Sequence, residues 1–559
     1  MKNQRTASRV IVDGLVKQGV DIIFQVPGES FLPLLDSLRD SKVRTITCRH
    51  EAGAANMAEA YGKLTGRPGV CIVTRGPGAC HASVGIHTAR QDSTPMVLLV
   101  GLVDRPLQGR EAFQEIDLAA MFGWTAKWVC VVQDADRLPE TIQRAWQTAM
   151  SSRPGPVVLG LPEDMLSDLT IVGDADRVDP TEITAPDTEV ERALDLLRTA
   201  QKPMVIVGGS RWTDEASRLL EAFSEAWDLP VCVTFRRQDR IDNRHSSYVG
   251  DLAFAPDPFL VEAIRGADLI LALGTRLGDL TTGGYELLKP PKPDQTLIHV
   301  YPDPSELGRL YTPDVAVVAD PVRFLASCAK ATPPENTRRT WSATLQAAFT
   351  ASLVPAACPG PLDMNVVIQE LSRKLGPDDI ITLDAGNFAQ WVQRYYPFKG
   401  FRTQIGPTGG AMGYGIPAGV AAALVRPDRR VVTFVGDGGF MMTSNEMATA
   451  VQHHANLVII VVNNGMFGTT RAHQERRFPG RAHGTDLVNP DFVAMAEAIG
   501  FAAFRVRETI EISATFDHAL KHDGPALVEL VLDPEAISSR ASLSKIRAAA
   551  QISATTRSM

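Results

Sequence analysis

Apolar runs rich in Val, Ile and Leu alternate with helix-length segments along the chain, and this rhythm limits the fold more than any other feature. Residues 431–464, VVTFVGDGGFMMTSNEMATAVQHHANLVIIVVNN, show it well: two β-branched runs flank one segment of helix length. Continuous apolar runs suit strands buried on both faces. Strands that alternate with helices predict parallel sheets covered on both sides. At 559 residues the chain is too long for a single core. The expected fold class is therefore α/β, with three doubly wound parallel-sheet domains.

Three blocks emerge. The first, residues 1–165, carries expected strands at Asp21–Val26, Val43–Cys48, Gly69–Thr74, Met96–Val100 and Val157–Leu161. The polar, proline-bearing stretch SDLTIVGDADRVDPTEITAPDTE reads as a linker. A second block, 187–333, holds strands PMVIVGG, PVCVTF, LILALG and LIHVYPD, each with an expected helix behind it. A second linker, ATPPENTRRTW into VPAACPGPLD, leads to the third block, 361–535, and leaves 536–559 as a C-terminal tail. Blocks one and three have similar length and strand rhythm.

Composition narrows the function classes. A net charge of -8 argues against a nucleic-acid or anionic-membrane partner, which would select a basic face. No run of eighteen apolar residues occurs, and the N-terminus enters an amphipathic pattern without a continuous apolar core, so neither a membrane span nor a signal peptide is expected. Seven scattered cysteines without a C-x-x-C suggest small apolar residues in a reducing compartment. A cytoplasmic location is expected.

In doubly wound sheets, ligands bind outside the carboxyl ends of the strands, where the chain order reverses. The first run of 431–464 delivers Asp437 to that edge, flanked by Gly436, Gly438 and Gly439; the second delivers Asn464. Glycines let backbone approach a ligand, and the helix that follows offers free N–H groups to an anion. A carboxylate, an amide oxygen and nearby phosphate oxygens suit a hard octahedral cation such as Mg²⁺. The plain alternative is a Gly-Asp-Gly turn and an Asn-Asn strand-end cap.

Further motifs recur in order: FQVPGES (24–30), RHEAGAANMAEAYGKLTGRPGV (49–70), TRGPGACHASVGIHTARQDSTPMV (74–97), AFQEID (112–117), SRPGPVVLGLPED (152–164), LDAGNFAQW (383–391) and GGAMGYGIPAGV (409–420). In these and in 431–464 the chain resembles thiamine diphosphate enzymes, in particular the acetolactate synthase-like (acetohydroxyacid synthase) group. The resemblance implies a pyrimidine-binding (Pyr) domain, a central domain and a diphosphate-binding (PP) domain. It also implies a homodimer or homotetramer with active sites between subunits, and a small 2-oxo acid substrate. It places Glu51 against N1′ of the aminopyrimidine as the acid–base residue; a first-turn glutamate placed by the helix dipole is the structural alternative. Met412 matches the bulky residue that props the bent cofactor, and Gly410 the residue whose carbonyl meets the 4′-amino group. Gly386, Asn387 and Phe388 match the segment holding the diphosphate. Asp437, Asn464 and the carbonyl of Met466 match the Mg²⁺ ligands. Pro27, Gly28 and Glu29 would form the loop beside the thiazolium, with Gln114 facing substrate and His81 on the same rim as a possible substrate contact. The alternative for Gln114 is a polar surface residue. The His453-His454 pair reads as a solvated helix end.

Departures from the group's pattern bear on substrate and cofactor. Glu29 stands where a second glycine is usual, and a carboxylate there is a potential proton donor. His473 replaces a tryptophan that selects the acceptor. In the central block, YVGDLAFAPDP puts Ala253, Phe254, Ala255 and Pro256 where flavin-binding members have Gly-Met-His-Gly, and Leu280 replaces an arginine; FAD is expected to be absent. The leading expectation is decarboxylation of a 2-oxo acid with transfer of the acyl unit to an acceptor carbonyl. A simple decarboxylase or C–C lyase, and an inactive regulatory paralogue, are the alternatives.

Overall fold

The computed structural model describes residues 4–209, 211–334 and 339–557. Each block contains one six-stranded sheet whose paired strands all run parallel. The first sheet is ordered Arg44–Thr47, Ile22–Gln25, Gly69–Thr74, Met96–Leu102, Pro156–Pro162, Trp128–Val131. The third is ordered Gln404–Ile405, Ile380–Leu383, Val431–Gly436, Val458–Asn463, Ala526–Val531, Ala502–Val506. Numbered along the chain within each block, both orders read 2-1-3-4-6-5. The middle sheet differs: Tyr248–Leu252, Val231–Thr234, Pro203–Val207, Leu269–Leu273, Thr296–Tyr301, Val315–Val318, or 3-2-1-4-5-6.

The first and third blocks share one core. Helix Gly415–Val425 (GIPAGVAAALV) has no polar stripe, and every residue from Gly415 to Leu424 is buried. A helix apolar all round must be covered all round. It lies against the third sheet on one side and helix Glu51–Thr65 on the other, so that Ala54, Ala58 and Tyr61 belong to one apolar cluster with Ile416 and Val420. This shared helix pair fixes the two blocks relative to each other.

Several expectations need correction. The first linker is irregular from residue 171 to 186, but its start pairs as a strand, Leu169–Thr170, antiparallel to Arg5–Thr6. The second linker contains a helix, Arg339–Ser352, whose Trp341 donates from Nε1 to the Pro203 carbonyl at 3.0 Å and whose Phe349 packs edge-on against Tyr248; its residues 335–338 lie outside the described residues. After Val231–Thr234 only a 3-10 turn, Gln238–Arg240, precedes the next strand, and after Leu269–Leu273 and Thr296–Tyr301 the chain turns without forming a helix. The segment between the two runs of 431–464 is two short helices, Asp437–Thr443 and Glu446–Gln452. The tail forms helix Leu543–Arg557, packed on helix Gly468–Arg477 with Arg547 paired to buried Glu475. All seven cysteines are free. No helix among the described residues is long and apolar enough to cross a membrane.

Candidate active site

In the third sheet the order reverses beside Ile380–Leu383, whose neighbour on one side is Val431–Gly436. A cleft opens outside the carboxyl ends of these two strands, as the topology demands. Gly386, Asn387, Phe388, Met412, Gly436, Asp437, Gly438, Gly439, Asn464 and Met466 all line it, together with the first residues of helix Gly468–Arg477. Ten expected positions thus converge on one wall-to-wall surface. Gly410 is exposed on the turn two residues before Met412.

Asp437 is only 2% exposed. Its carboxylate accepts from the Asn489 amide at 2.8 Å and the Gly438 N–H at 3.0 Å, and among the described residues it forms no ion pair. Burial pushes this carboxyl above its ordinary range, with the Asn489 and backbone amide donors opposing the shift. The side chain of Asn464, also buried, has no hydrogen-bond partner among the described residues. A buried carboxylate without a cationic partner, beside a buried amide without a protein partner, fits a divalent cation. The neighbouring amide faces elsewhere: Asn463 donates to Glu529 at 2.8 Å and accepts from Asn489. Alternation along the strand separates the two, one into the sheet's polar network and one into the cleft.

The loop carrying Met412 is held by a residue that sequence reasoning passed over. Asp384 follows Leu383 at the strand end, is fully buried, and accepts from the N–H groups of Gly413 and Gly415 at 3.0 and 3.2 Å. Burial raises its carboxyl to about 6. From the middle block, buried Arg236 donates to the Asp384 carbonyl at 2.7 Å. Met412, between left-handed Gly410 and Gly413, stands 36% exposed in the cleft.

The first sheet delivers its residues from the same kind of edge. After Arg44–Thr47 the chain turns into helix Glu51–Thr65, with Glu51 at its first position and His50 as cap. The buried carboxylate of Glu446, from the third block, accepts from the His50 N–H at 2.9 Å and the Arg49 N–H at 3.1 Å. A Cβ on Gly53 would lie 2.3 Å from Glu446 Oε1, so only glycine admits this contact. Burial raises the Glu446 carboxyl, opposed by its Thr449 and backbone donors. His81, on helix Arg75–Asp92, sits with Nδ1 2.8 Å from Glu51 Oε2.

After Ile22–Gln25 come Pro27, Gly28 and Glu29. A Cβ on Gly28 would fall 2.3 Å from that of Thr74, which brings this loop against the next strand's end. Glu29 is exposed and starts a short 3-10 turn. Gln114 has a left-handed backbone (φ 64°) and accepts from the Gly76 N–H at 2.9 Å, tying its turn to the start of the His81 helix. Such strain in a non-glycine residue is common at functional sites.

None of Pro27, Gly28, Glu29, Glu51, His81 or Gln114 lines the third-block cleft. His473 is exposed on helix Gly468–Arg477 beyond the residues that line it. The His453-His454 pair is not simply a solvated end, because His453 Nε2 accepts from the Thr47 N–H at 3.1 Å and ties the first block to the third. Sequence reasoning also missed Glu446 and Asn489, whose partners lie far away in the chain. In the middle block, Phe254 is 72% exposed and lines one recess with Pro256 and Leu280.

Family comparisons agree with this geometry. Residues 384–530 match the model of the thiamine pyrophosphate enzyme, C-terminal TPP binding domain; residues 5–121 match the N-terminal TPP binding domain, and 190–328 the central domain. The chain is 32% identical to the acetolactate synthase large subunit of Corynebacterium glutamicum, over 95% of this chain and 87% of that one. The chain belongs to the thiamine diphosphate-dependent enzymes. It is also 32% identical to the acetolactate synthase isozyme 2 large subunit of Escherichia coli K12, over 94% of this chain and 95% of the relative. A probable acetolactate synthase large subunit of Methanocaldococcus jannaschii is 30% identical over 94% and 92%. Within the family the chain is an acetolactate synthase-like enzyme. The N-terminal match spans four strands of the first sheet, the C-terminal match lies in the third sheet of the same 2-1-3-4-6-5 order, and the central match spans the whole sheet of 3-2-1-4-5-6 order.

Proposed function

We propose that this enzyme decarboxylates a small 2-oxo acid and passes the acyl unit to an acceptor carbonyl, using thiamine diphosphate and Mg²⁺. Blocks 1–165, 187–333 and 361–535 act as its Pyr, central and PP domains. The observation that carries the reading is the cleft of Asp437, Asn464 and Met466, where, among the described residues, a buried carboxylate forms no ion pair and a buried amide has no hydrogen-bond partner. When bound, thiamine diphosphate supplies an acidic thiazolium C2 that adds to a carbonyl and accepts the electron pair left by loss of CO₂.

The chain's own residues bind and orient it. Asp437, Asn464 and the Met466 carbonyl hold Mg²⁺, which ties down the diphosphate; Gly386, Asn387, Phe388 and the N–H groups around Gly436–Gly439 and Gly468 complete that cradle. Met412 supports the bend, and Gly410 offers its carbonyl to the amino group. Glu51 exchanges a proton with the aminopyrimidine. Pro27, Gly28, Glu29, Gln114 and His473 surround the substrate. The Glu51 group lies outside the cleft's lining within one chain, which supports a homodimer, or a dimer of dimers, whose first block completes the partner's cleft. The recess walled by Phe254, Pro256 and Leu280 supports a central domain that works without FAD.

Exhaustive dialysis against EDTA should abolish activity on 2-oxo acids, and thiamine diphosphate with Mg²⁺ should restore it without added flavin. Recovery that needs flavin, or that occurs without a divalent cation, would contradict the reading. One observation favours a second outcome at the same site: Glu29 is exposed and forms no ion pair among the described residues, so a proton could end the reaction in place of an acceptor carbonyl. A panel of 2-oxo acids with and without aldehyde acceptors, read by mass spectrometry, separates carboligation from simple decarboxylation or C–C cleavage.

A further inference from the structure

His81 touches Glu51. The distance from Nδ1 to Oε2 is 2.8 Å, with 13% of the Glu51 side chain and 52% of the His81 side chain exposed. The second carboxylate oxygen, Oε1, has no hydrogen-bond partner among the described residues. One oxygen of the glutamate is therefore held by protein while the other is left open. A glutamate placed only by its backbone would keep three free torsions, and its carboxylate would sample many directions.

The holder is itself held. The His81 helix begins at Arg75, where the Gln114 carbonyl accepts from the Gly76 N–H. The His81 ring packs on the ring of His50, with centroids 4.5 Å apart and planes tilted by 31°. His50 in turn accepts from the Ala52 N–H through Nδ1 and donates its own backbone N–H to Glu446. The charged or titratable groups around the pair are His50 and Arg49 from the turn before the helix, Glu446 beneath that turn, Cys71 from the strand behind Glu51, and Cys80 beside His81.

We propose that His81 is a positioning residue for Glu51: its Nδ1–H donates to Oε2 and aims Oε1 at the cofactor's aminopyrimidine. The proposal rests on the thiamine diphosphate reading and gives His81 a role through Glu51 instead of on the substrate. An ionised carboxylate only accepts hydrogen bonds, so the contact requires the proton on Nδ1, the tautomer that a free imidazole adopts less often. A side-chain amide at the same position could also donate, whereas an alanine could not.

The first test needs no catalysis. Nitrogen-15 NMR of histidine-labelled apoprotein, at alkaline pH where imidazoles are neutral, should show His81 as the Nδ1–H tautomer. Glu51→Ala should move it to the Nε2–H form. Kinetics supply the second test. His81→Ala should lower kcat and kcat/KM together by about ten-fold, the scale for losing an orienting partner of a functional side chain, with KM for the 2-oxo acid unchanged. His81→Asn should recover most of that loss. An Nε2–H tautomer in the wild type, an asparagine variant as impaired as the alanine one, or a raised KM with kcat intact would overturn the proposal; the last would place His81 on the substrate. Calorimetric titration of thiamine diphosphate with Mg²⁺ into the same apoprotein distinguishes the two failures. Absence of binding would overturn the cofactor reading, and binding combined with the Nε2–H tautomer would overturn only the role of His81.

Discussion

The first and third blocks share a strand order of 2-1-3-4-6-5, yet the edges of their sheets are equipped for different work. In the third, the switch point is a cleft lined with glycines, a helix start, one buried carboxylate and one buried amide, Asn464, that has no partner among the described residues. In the first, the same edge presents Glu51 paired to His81, an exposed Glu29 and a strained Gln114. On the proposed reading the third-block edge takes a diphosphate tail and its cation, and the first-block edge serves proton exchange and a reacting carbonyl. A shared topology thus places two edges, and the proposed reading divides the labour between the residues at those edges.

Breaking the third-block edge should have the largest effect. Asp437→Ala removes the only carboxylate among the cleft-lining residues, so cofactor binding measured by calorimetry, and activity with it, should be lost at ordinary cofactor concentrations. Wild-type affinity in that variant would remove Asp437 from the metal site. Breaking the first-block edge should leave binding but not turnover: Glu51→Gln should keep most of the affinity and lower kcat by roughly 10²–10⁴, the range for loss of an acid–base group. If both variants lost binding equally, the division of labour would be wrong.

The ties between the blocks come next. Glu446→Ala leaves the Arg49 and His50 N–H groups of a part-buried turn without their acceptor, at a cost of up to about 1–3 kcal/mol, the scale for an unsatisfied buried group. Thermal unfolding should move down accordingly, and kcat should fall with it because the turn carries Glu51. An unchanged melting temperature would show that the turn is held by something else.

The smallest effect belongs to His453. Burial holds its imidazole below the ordinary 6.5, reinforced by Arg44 and Arg49, and the Thr47 N–H, which donates to Nε2, needs that nitrogen unprotonated. The folded state therefore keeps His453 neutral, able to accept from Thr47, while the unfolded chain takes up a proton as pH falls below about 6.5. This contribution to stability is present above the unfolded value and is lost as pH falls through the lower folded one. The melting-temperature gap between wild type and His453→Gln should shrink between neutral and mildly acidic pH. A gap independent of pH would deny the tie.

How much of this was visible in the sequence depended on burial. Central strands such as Gly69–Thr74, Val431–Gly436 and Val458–Asn463 are continuous apolar runs, because both faces are covered. In the first two six-stranded sheets, the strands that escaped notice, Trp128–Val131, Tyr248–Leu252 and Val315–Val318, each lie at the edge of a sheet. Trp128–Val131 is only half-buried throughout, and Val315–Val318 alternates, so neither shows the sustained apolar signal of a central strand. The same logic applies to the site. Asp437 and Asn464 stand out because a polar residue ends an apolar run. Asp384 ends the run IITL in the same way, and that signal could have found it. Glu446 and Asn489 left no such mark: Glu446 reads as an ordinary first-turn helix acid, and its partners Arg49 and His50 are nearly four hundred residues away in sequence. The choice between Asn463 and Asn464 is set by which way each faces the neighbouring strand, a property of the folded sheet.

We propose that the two edges meet across a subunit interface, one chain's Glu51 serving its partner's Asp437 cleft. Co-expression of Glu51→Gln and Asp437→Ala chains, each nearly inactive alone, tests it most directly. In a mixed dimer one of the two sites would combine an intact Glu51 with an intact Asp437. Random pairing should therefore restore about a quarter of wild-type activity, half of the dimers being mixed and each holding one sound site. A mixed population that stays as inactive as its parents, despite verified pairing of the two chains, would mean that each chain completes its own site and would contradict the account.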